Sequence, residues 1–348
     1  MCRDLIFARA LPAAFLTGAL TFLLQATPAF AADPALIAAA QKEGRVSWYT
    51  TQIVNQIVRP TASAFEKKYG IKVDFVRANA VELSLRVATE AKAGRMMADV
   101  VDGTGTAVNL IKENLIAKYQ PDNALPKQFR DPQGYWIATN LYVLSFAYNT
   151  NLVKKDEVPR TWQDLLNPKW KGQIVWNSTP SAGAGQGFIG TVLSEMGEPK
   201  GMEFLRALSR QNIIGLKVAA RQVVDRVIAG EYAIAINIYN NHPLVSAEQG
   251  APVDWSPSQP AMAVFSVAAL TAKAPHPNAG KLLIDFITSP EGQRIYAEAG
   301  ELPVDPNVAP KYPQLRPDGQ NYRAIYFTPE ELADKLPGWS KIYEELFR

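Results

Sequence analysis

The chain has 348 residues, of which 36 are lysine or arginine and 33 are aspartate or glutamate, so its formal net charge is +3. This near balance, with no run of five like charges, argues against a nucleic-acid partner, which would need a clustered basic face. The length is sufficient for two domains of ordinary size. Cys2 is the only cysteine, so we expect no disulfide.

The first 31 residues have the pattern of an export signal. Arg3 and Arg9 give it a basic start, residues 11–24 are largely apolar, and residues 29–31 (AFA) have the small-x-small form of a cleavage site. We therefore expect cleavage after Ala31 and an exported mature chain. No later stretch approaches the roughly 18 uninterrupted apolar residues of a membrane helix, so we expect no membrane insertion after the signal is removed.

Strands and helices alternate through the first third of the chain. Periodicity predicts helices over residues 35–42, 57–69 and 83–91, and strands over residues 46–49, 71–75 and 98–101. This alternation predicts an α/β fold with a mainly parallel sheet, in which ligands collect beyond the carboxyl ends of the strands. Threonine at a strand end is also a common turn residue, which is the alternative for most of these positions. The candidate ligand contacts at these strand ends are Tyr49, Thr50, Thr51, Thr104 and Thr106.

Two long apolar stretches interrupt this alternation. Residues 136–148 place Tyr142, Leu144 and Phe146 on one face, and residues 262–270 form a second stretch of the same kind. The first stretch is too long and too apolar for a surface hairpin, so we predict that both strands cross between two lobes. Two crossings make a hinge, because the chain leaves one lobe and later returns to it.

Residues 161–190 contain a turn, a buried strand and a loop of small residues. Helical spacing follows the loop, so the loop leads into a helix N-terminus. The free backbone N–H groups at such a terminus attract phosphate or carboxylate, which makes Ser181, Ala182 and Gly183 candidate anion contacts. The simpler alternative is a small-residue loop that only caps the helix.

Three residues further along complete the candidate site. Arg221 precedes a predicted helix, and its planar guanidinium group matches a carboxylate or a phosphate. Tyr239 and Asn240 follow the predicted strand at residues 232–238 and could donate hydrogen bonds to a ligand. The alternatives are a solvated or salt-bridged arginine and a tyrosine that belongs to the core.

No catalytic or cofactor motif is complete. Residues 185–190 match the G-x-G-x-x-G dinucleotide fingerprint by letter, but no acidic residue follows about 20 positions later at a strand end. His242 and His276 each neighbour a proline, and neither has a cysteine or second histidine nearby. We therefore predict no catalytic residues, no metal site, no cofactor and no enzymatic activity.

Three longer motifs carry a family resemblance: TWQDLLNPKWKGQI at residues 161–174, AGEYAIAINIY at residues 229–239 and LLIDFITSPEGQRIYAEAGELPV at residues 282–304. With the export signal, they make the chain resemble a periplasmic solute-binding protein of an ABC importer, in the group that includes the ferric-ion-binding proteins. The resemblance implies two α/β lobes of the type II fold that close over one small ligand. It also implies a membrane permease and an ATPase as partners, and we expect a monomer in the periplasm.

The resemblance and the two crossings together predict the domain boundaries. We expect a signal peptide at residues 1–31, a first lobe from residues 32–143 and 266–310, and a second lobe from residues 144–265. Residues 311–348 are expected to form a C-terminal helical segment that packs on the lobes.

The expected ligand follows from a departure from the ferric pattern. Ferric binders of this family typically have two adjacent tyrosines after the strand that here ends near Tyr239, whereas this chain has Asn240 and Asn241 there. Fe(III) prefers anionic oxygen ligands, which amides do not supply. We therefore expect a small anionic or polar organic solute of the phosphonate, phosphorylated or carboxylate type. The alternatives are a ferric-ion-binding protein that uses Tyr239 with a synergistic anion, and an exported enzyme on the same fold.

Overall fold

A computed structural model describes residues 32–122, 125–317 and 321–348 of the chain. The predicted signal peptide at residues 1–31 lies outside these ranges. Within them, no helix combines the length and the apolar character that crossing a membrane requires.

The amino-terminal third alternates helices and strands, which confirms the α/β prediction for this region. β1 lies between β2 and β3 and runs parallel to both. A π-helical turn over Val54–Val58 leads into α2, and α4 is a short helix that periodicity does not indicate. The elements are α1 (Pro34–Glu43), β1 (Arg45–Thr50), α2 (Arg59–Tyr69), β2 (Lys72–Arg77), α3 (Ala80–Lys92), β3 (Val100–Gly103), α4 (Thr106–Lys112) and β4 (Ile116–Ala117).

Side-chain caps and glycines set the helix boundaries in this region. The Asn79 side chain accepts a hydrogen bond from the backbone N–H of Glu82, and the Glu82 carboxylate accepts one from the N–H of Asn79, which together start α3. Gly44 and Gly70 end α1 and α2 with φ of 72° and 71°, a conformation that glycine adopts without strain. Each of these glycines turns the chain into the next strand.

The middle of the chain builds a second parallel arrangement, in which β6 lies between β7 and β8. α8 begins at Asn241, where the sequence indicates only a turn. Pro243 is compatible with this helix because it occupies the first turn, where a missing N–H breaks no helical hydrogen bond. The elements are β5 (Ile137–Asn149), β6 (Ile174–Asn177), α5 (Gly185–Met196), α6 (Glu198–Ser209), β7 (Ile214–Leu216), α7 (Ala220–Ile228), β8 (Ile234–Tyr239), α8 (Asn241–Glu248) and β9 (Val253–Ser256).

The carboxyl-terminal part returns to the first sheet half and ends in a long helix. Its elements are β10 (Ala261–Thr271), α9 (Pro277–Ile287), α10 (Pro290–Glu298), β11 (Leu302–Pro303), β12 (Ala324–Phe327) and α11 (Pro329–Leu346). α11 packs against α5 so closely that a Cβ on Gly190 would lie 2.4 Å from the Trp339 ring. The indole of Trp136 donates a hydrogen bond of 2.7 Å to Glu330, which ties the start of α11 to the other half of the molecule.

β5 and β10 run antiparallel, side by side, through the middle of the sheet, whose order is β2-β1-β3-β10-β5-β8-β6-β7. The carboxyl-terminal half of β10 pairs with β3, and the carboxyl-terminal half of β5 pairs with β8. Tyr142 lies opposite Val264, and Phe265 lies opposite Leu141. The two predicted crossing strands are therefore confirmed, because each belongs to both halves of the sheet.

Alternate side chains of the crossing strands enter different hydrophobic cores. Val143 and Phe265 belong to a core that also holds Trp48, whereas Leu144 and Met262 belong to a second core that holds the indole of Trp176. We call the elements around the first core the first lobe and those around the second core the second lobe. Since both cores are apolar and close-packed, a change in the angle between the lobes is expected to concentrate in the two strands that join them.

Candidate functional site

The loop between β6 and α5 is held in shape by its neighbours. The Asn237 side chain, on β8, donates hydrogen bonds of 2.8 Å to the Ala182 carbonyl and 2.6 Å to the Ala184 carbonyl. Gly187 lets the loop fold back onto α5, because a Cβ at Gly187 would lie 1.8 Å from the Ala182 oxygen. The loop that contains Ser181, Ala182 and Gly183 is therefore held rigidly against the first turn of α5.

Tyr239 brings a hydroxyl group to the same loop. A Cβ on Gly183 would lie 2.9 Å from the Tyr239 Oη atom, so the hydroxyl and the loop are in direct proximity. Among the described residues, no side chain caps the N-terminus of α5, where the helix dipole and the first N–H groups favour negative charge. Burial and the nearby Glu301 carboxylate raise the pKa of Tyr239, which keeps the hydroxyl protonated and able to donate. Loop, helix end and hydroxyl together form an arrangement suited to an anion.

Tyr142 connects this loop to the residues at and just after the end of β1, residues 50–52, which we call the first-lobe tip. Its ring meets the Tyr239 ring edge to face, with 5.2 Å between centroids. Its hydroxyl lies 3.5 Å from Gln52 Oε1, and the Gln52 amide donates to Asn140 Oδ1 and to Ser266 Oγ. The first-lobe strand end, the crossing strands and the second-lobe loop therefore meet around Tyr142 and Tyr239.

Asp102 organises the first-lobe tip. This fully buried carboxylate accepts hydrogen bonds from the Trp48 indole at 2.8 Å, the Thr50 hydroxyl at 2.5 Å, and the backbone N–H and hydroxyl of Thr51 at 2.7 and 3.1 Å. Burial raises the pKa of Asp102 to about 6, although these donors oppose the shift. The hydroxyls of Thr50 and Thr51 are thus engaged inside the protein, and their network fixes the position of the tip.

The other first-lobe candidates occupy different surroundings. Tyr49 points to the opposite face of β1, where its hydroxyl donates to Glu90 at 2.6 Å and accepts from Arg86 at 3.1 Å. Burial is the largest reason that the pKa of Tyr49 rises to about 12. Thr106 is fully buried, and its hydroxyl has no hydrogen-bond partner among the described residues, whereas Thr104 is partly exposed. Thr104 therefore remains accessible at the tip, while Tyr49 lies away from it.

Arg221 and Asn240 lie on the other side of Tyr239. Arg221 donates to Asp225 at 3.2 Å and to the His242 carbonyl at 3.4 Å, and it lines a cavity of about 560 Å³ together with residues of both lobes. The Asn240 side chain is buried and donates to the Leu315 carbonyl at 2.9 Å. Asn240 therefore anchors the chain that precedes β12, and Arg221 stands at the edge of a cavity.

Sequence reasoning missed Asn237 and Glu301, and it placed Gln52 in the polar strand end after β1 without selecting it as a ligand contact. Glu301 follows α10 and is only 6% exposed, with Asn140 Nδ2 at 3.3 Å and Asn241 Nδ2 at 3.5 Å. Burial raises its pKa to about 7. No local pattern singles out this glutamate, because its neighbours come from strands and helices far away in the chain. In the part of the chain that the structure describes, no group of three histidine, cysteine or acidic side chains is arranged to hold a metal ion.

The fold defines a class: a two-lobe α/β protein of the binding-protein type, in which strand ends of both lobes converge at the crossing strands. Comparison with known proteins gives the family. Residues 97–322 match the model of the bacterial extracellular solute-binding protein family, so the chain belongs to this family.

Curated relatives and solved structures agree with this assignment. A putative 2-aminoethylphosphonate-binding periplasmic protein of Salmonella typhimurium is 25% identical over 308 residues, which cover 86% of this chain and 85% of the relative. The periplasmic binding protein AfuA from Actinobacillus pleuropneumoniae, with fructose-6-phosphate bound, superimposes with a TM-score of 0.70 at 24% identity and covers 87% of this chain and 98% of its own. Iron-bound HitA from Pseudomonas aeruginosa gives a TM-score of 0.71 at 21% identity, over 86% and 98% of the two chains. At these identities the two structures establish the fold that the sequence predicted.

Proposed function

We propose that this chain is the periplasmic substrate-binding component of an ABC importer, and that it captures a small anionic organic solute of the phosphonate, phosphorylated or carboxylate type. The observation that carries the proposal is the loop at Ser181, Ala182 and Gly183, which Asn237 holds against the uncapped start of α5 and beside the Tyr239 hydroxyl. Backbone N–H groups and a protonated tyrosine together satisfy several oxygens of one anionic group.

The relatives support an anionic ligand of this kind. One is described as a putative 2-aminoethylphosphonate-binding protein, and the AfuA structure contains fructose-6-phosphate. Both ligands combine an anionic phosphorus group with a small organic body. We propose that the anion sits on the loop and that Thr51 and Thr104 approach it from the first lobe. Thr50 and Thr106 are buried, and Tyr49 lies on the opposite face of β1, away from the anion.

Ferric ion is the second candidate, because Tyr239 lies beside the loop and HitA is an iron-bound protein of the same fold. The neighbouring Asn240 opposes it, since its amide is directed to the Leu315 carbonyl and supplies no anionic oxygen. Adding ferric citrate should therefore give no tyrosinate-to-iron absorption band. A strong visible band that disappears in Tyr239→Phe would establish iron binding instead.

The mechanism follows from the two crossing strands. We propose that ligand bridges the lobes and shifts the population toward a closed form, which a membrane permease and its ATPase then recognise. The proposed boundaries are a signal peptide at residues 1–31, a first lobe of residues 32–143 and 266–310, a second lobe of residues 144–265, and a C-terminal segment of residues 311–348. In this role the protein acts as a monomer and performs no chemistry on its ligand.

Calorimetry tests the anion assignment directly. The mature chain, residues 32–348, is titrated with phosphonates, sugar phosphates, carboxylates and polyamines, and with an uncharged sugar as the negative control. We expect one-to-one binding of at least one phosphonate or phosphate ester and no heat from the uncharged sugar. Heat from the polyamines alone, or from no compound in the panel, would contradict the proposal.

A further inference from the structure

Glu301 is a buried carboxylate at the junction of the two lobes. It lies in the turn between α10 and β11, and β11 pairs with the crossing strand β5 at Leu141. Its two oxygens receive amide contacts, from Asn140 at 3.3 Å and from Asn241 at 3.5 Å. Asn140 belongs to a crossing strand and Asn241 begins α8, so Glu301 contacts residues that belong to both lobes.

The charge of Glu301 is not neutralised by a neighbouring cation of the described chain. Within the described ranges, no lysine, arginine or histidine nitrogen lies within the 4.0 Å of an ion pair from its oxygens. Two cationic side chains line the same cavity, and both have other partners, since Arg221 pairs with Asp225 and Lys311 pairs with Glu248. A buried carboxylate with two long amide contacts loses more solvation than these contacts return.

Other buried acids of the molecule are better satisfied. Asp99 accepts two backbone N–H groups and contacts the His276 imidazole at 3.0 Å. Asp285 accepts the Tyr119 hydroxyl at 2.5 Å. Asp131 accepts backbone N–H groups at 2.7 and 3.1 Å. The Glu301 oxygens can therefore accept further strong hydrogen bonds, which the neighbouring residues do not donate.

Glu301 also faces open space. It lines the cavity of about 560 Å³, together with Gln56 of the first lobe and His242 of the second. The buried Nδ1 atom of His242 has no hydrogen-bond partner among the described residues. The His242 ring lies 5.3 Å from the Tyr239 ring, between centroids, so the cavity adjoins the tyrosine that stands beside the anion loop. The Glu301 carboxylate is also close enough to Tyr239 to raise the pKa of its hydroxyl, so Tyr239 adjoins both the anion loop and Glu301.

We propose that Glu301 is the residue that selects a solute with a protonated amine, so that the ligand is a zwitterion with an anionic group on the loop and an ammonium group at Glu301. This inference rests on the proposed function for the anionic end. An ammonium group has three N–H donors; two reach the Glu301 oxygens and the third reaches His242 Nδ1 in the tautomer that leaves this atom unprotonated. Burial lowers the pKa of His242 to about 4, so its ring is neutral near pH 7 and adds no repulsion.

Matched ligand pairs test the proposal by calorimetry at pH 7.5. The pairs are 2-aminoethylphosphonate with ethylphosphonate, and O-phosphoethanolamine with ethyl phosphate, which differ only in the amine. The variant is Glu301→Gln, which keeps the shape and removes the charge. The control is Glu298→Gln, because Glu298 is an exposed carboxylate on the rim of the same cavity. Thermal unfolding confirms that each variant is folded.

We expect the wild-type protein to bind the amine-bearing member of a pair about 30-fold or more tightly, as for a desolvated charge-assisted contact. In Glu301→Gln this preference should fall to within about threefold while the affinity for the partner without an amine is unchanged, and Glu298→Gln should behave as wild type. These results support the inference.

Three outcomes would overturn it. If the wild-type protein binds both members of a pair equally, or binds other anions of the panel but neither amine, the inference fails and the proposed function stands. If Glu301→Gln weakens both members equally, Glu301 has a structural role only. If no anion of the panel binds, the proposed function fails and the inference fails with it. Should Glu301→Gln not fold, the wild-type preference within each pair decides alone.

Discussion

Two buried carboxylates lie near the crossing strands, and they differ in what surrounds them. Asp102, at the first-lobe tip, receives four hydrogen bonds of 2.5 to 3.1 Å from Trp48, Thr50 and Thr51. Glu301, beside the crossing strands, receives two amide contacts of 3.3 and 3.5 Å. Both are almost fully buried, and burial raises the pKa of both.

This difference shows that burial and a raised pKa do not by themselves identify a recognition residue. A carboxylate whose lone pairs all accept short hydrogen bonds from the protein has a structural role, because loss of any of these donors would destabilise the folded state. A carboxylate with unfilled lone pairs next to a cavity can still bind a donor from outside. The following predictions are ordered from the largest expected effect to the smallest.

The largest effect is expected from the isosteric pair Asp102→Asn and Glu301→Gln. Asp102→Asn places an amide N–H₂ among the donors of Trp48, Thr50 and Thr51, so we expect it to lower the free energy of unfolding by about 3 kcal/mol. Glu301→Gln should not lower it at pH 7, because it removes an uncompensated charge. Urea denaturation of both variants measures the difference, and equal losses would contradict the distinction between the two sites.

Gly187→Ala should disturb the anion loop without touching the ligand. The added Cβ would lie 1.8 Å from the Ala182 oxygen, so the loop must move, at a cost of about 2 kcal/mol in stability and a loss of most anion affinity. Gly338→Ala is the matched control, since a Cβ on Gly338 would have no neighbour within 4 Å among the described residues. Calorimetry and thermal unfolding of both variants check this, and unchanged anion affinity in Gly187→Ala would remove the loop from the site.

The free energy of unfolding should depend on pH differently in Glu301→Gln and in the wild type. The pKa of Glu301 is raised from 4.5 to about 7 in the folded chain, so between these values the folded state holds a proton that the unfolded chain has lost. Wild-type stability therefore falls as pH rises through this window, and the variant should gain on the order of 2 kcal/mol relative to it. The groups facing Glu301 remain neutral there: Tyr142, Tyr239 and Tyr296 have raised pKa values, and the pKa of His242 is lowered to about 4.

Urea denaturation at pH 4.5, 6 and 7.5 provides this measurement. Arg221 also lines the cavity, where it pairs with Asp225. A stability difference between variant and wild type that is independent of pH would show that Glu301 ionises at its ordinary pKa.

Tyr239→Phe should weaken anion binding by about tenfold, because it removes one hydrogen bond to a charged group. Tyr142→Phe is the matched control, since the Tyr142 hydroxyl is directed to Gln52, in a long contact of 3.5 Å. We expect it to change affinity by less than about threefold. Equal losses in the two variants would place the anion between the tyrosines rather than on the loop.

The smallest effect is expected from Arg221→Ala. Arg221 is partly exposed and already paired with Asp225 at 3.2 Å, so its charge acts from the cavity rim. We expect a loss of about threefold in anion affinity at low salt, which disappears at about 0.5 M salt because the charge is screened. A loss that is much larger and independent of salt would mean that Arg221 reaches the anion in the closed form.

The fold could be predicted from the sequence because its signals are local. The alternation of Tyr142, Leu144 and Phe146 indicates a crossing strand, and the structure confirms it with Tyr142 and Phe265 in the same sheet. Helix α8 was not predicted, because Asn241, His242 and Pro243 have the composition of a turn. Proline occurs both in turns and in the first turn of a helix, so Pro243 does not distinguish a turn from the start of α8.

The site was harder to predict because its partners are distant in sequence. Strand periodicity places Thr50 at a strand end, but only the folded chain shows that Asp102 accepts its hydroxyl hydrogen bond. Glu301 lies 161 positions from Asn140, and no spacing rule connects them. The loop at residues 181–183 could be proposed from sequence, because small residues before a helix leave its first N–H groups accessible to an anion.

The central claim is that the loop before α5 holds an anionic group, and one calorimetric titration tests it most directly. Ethylphosphonate is titrated into the wild-type mature chain and into folded Gly187→Ala under identical conditions. We predict one-to-one binding to the wild type and a loss of at least about tenfold in affinity for the variant. Equal binding to both proteins would contradict the claim.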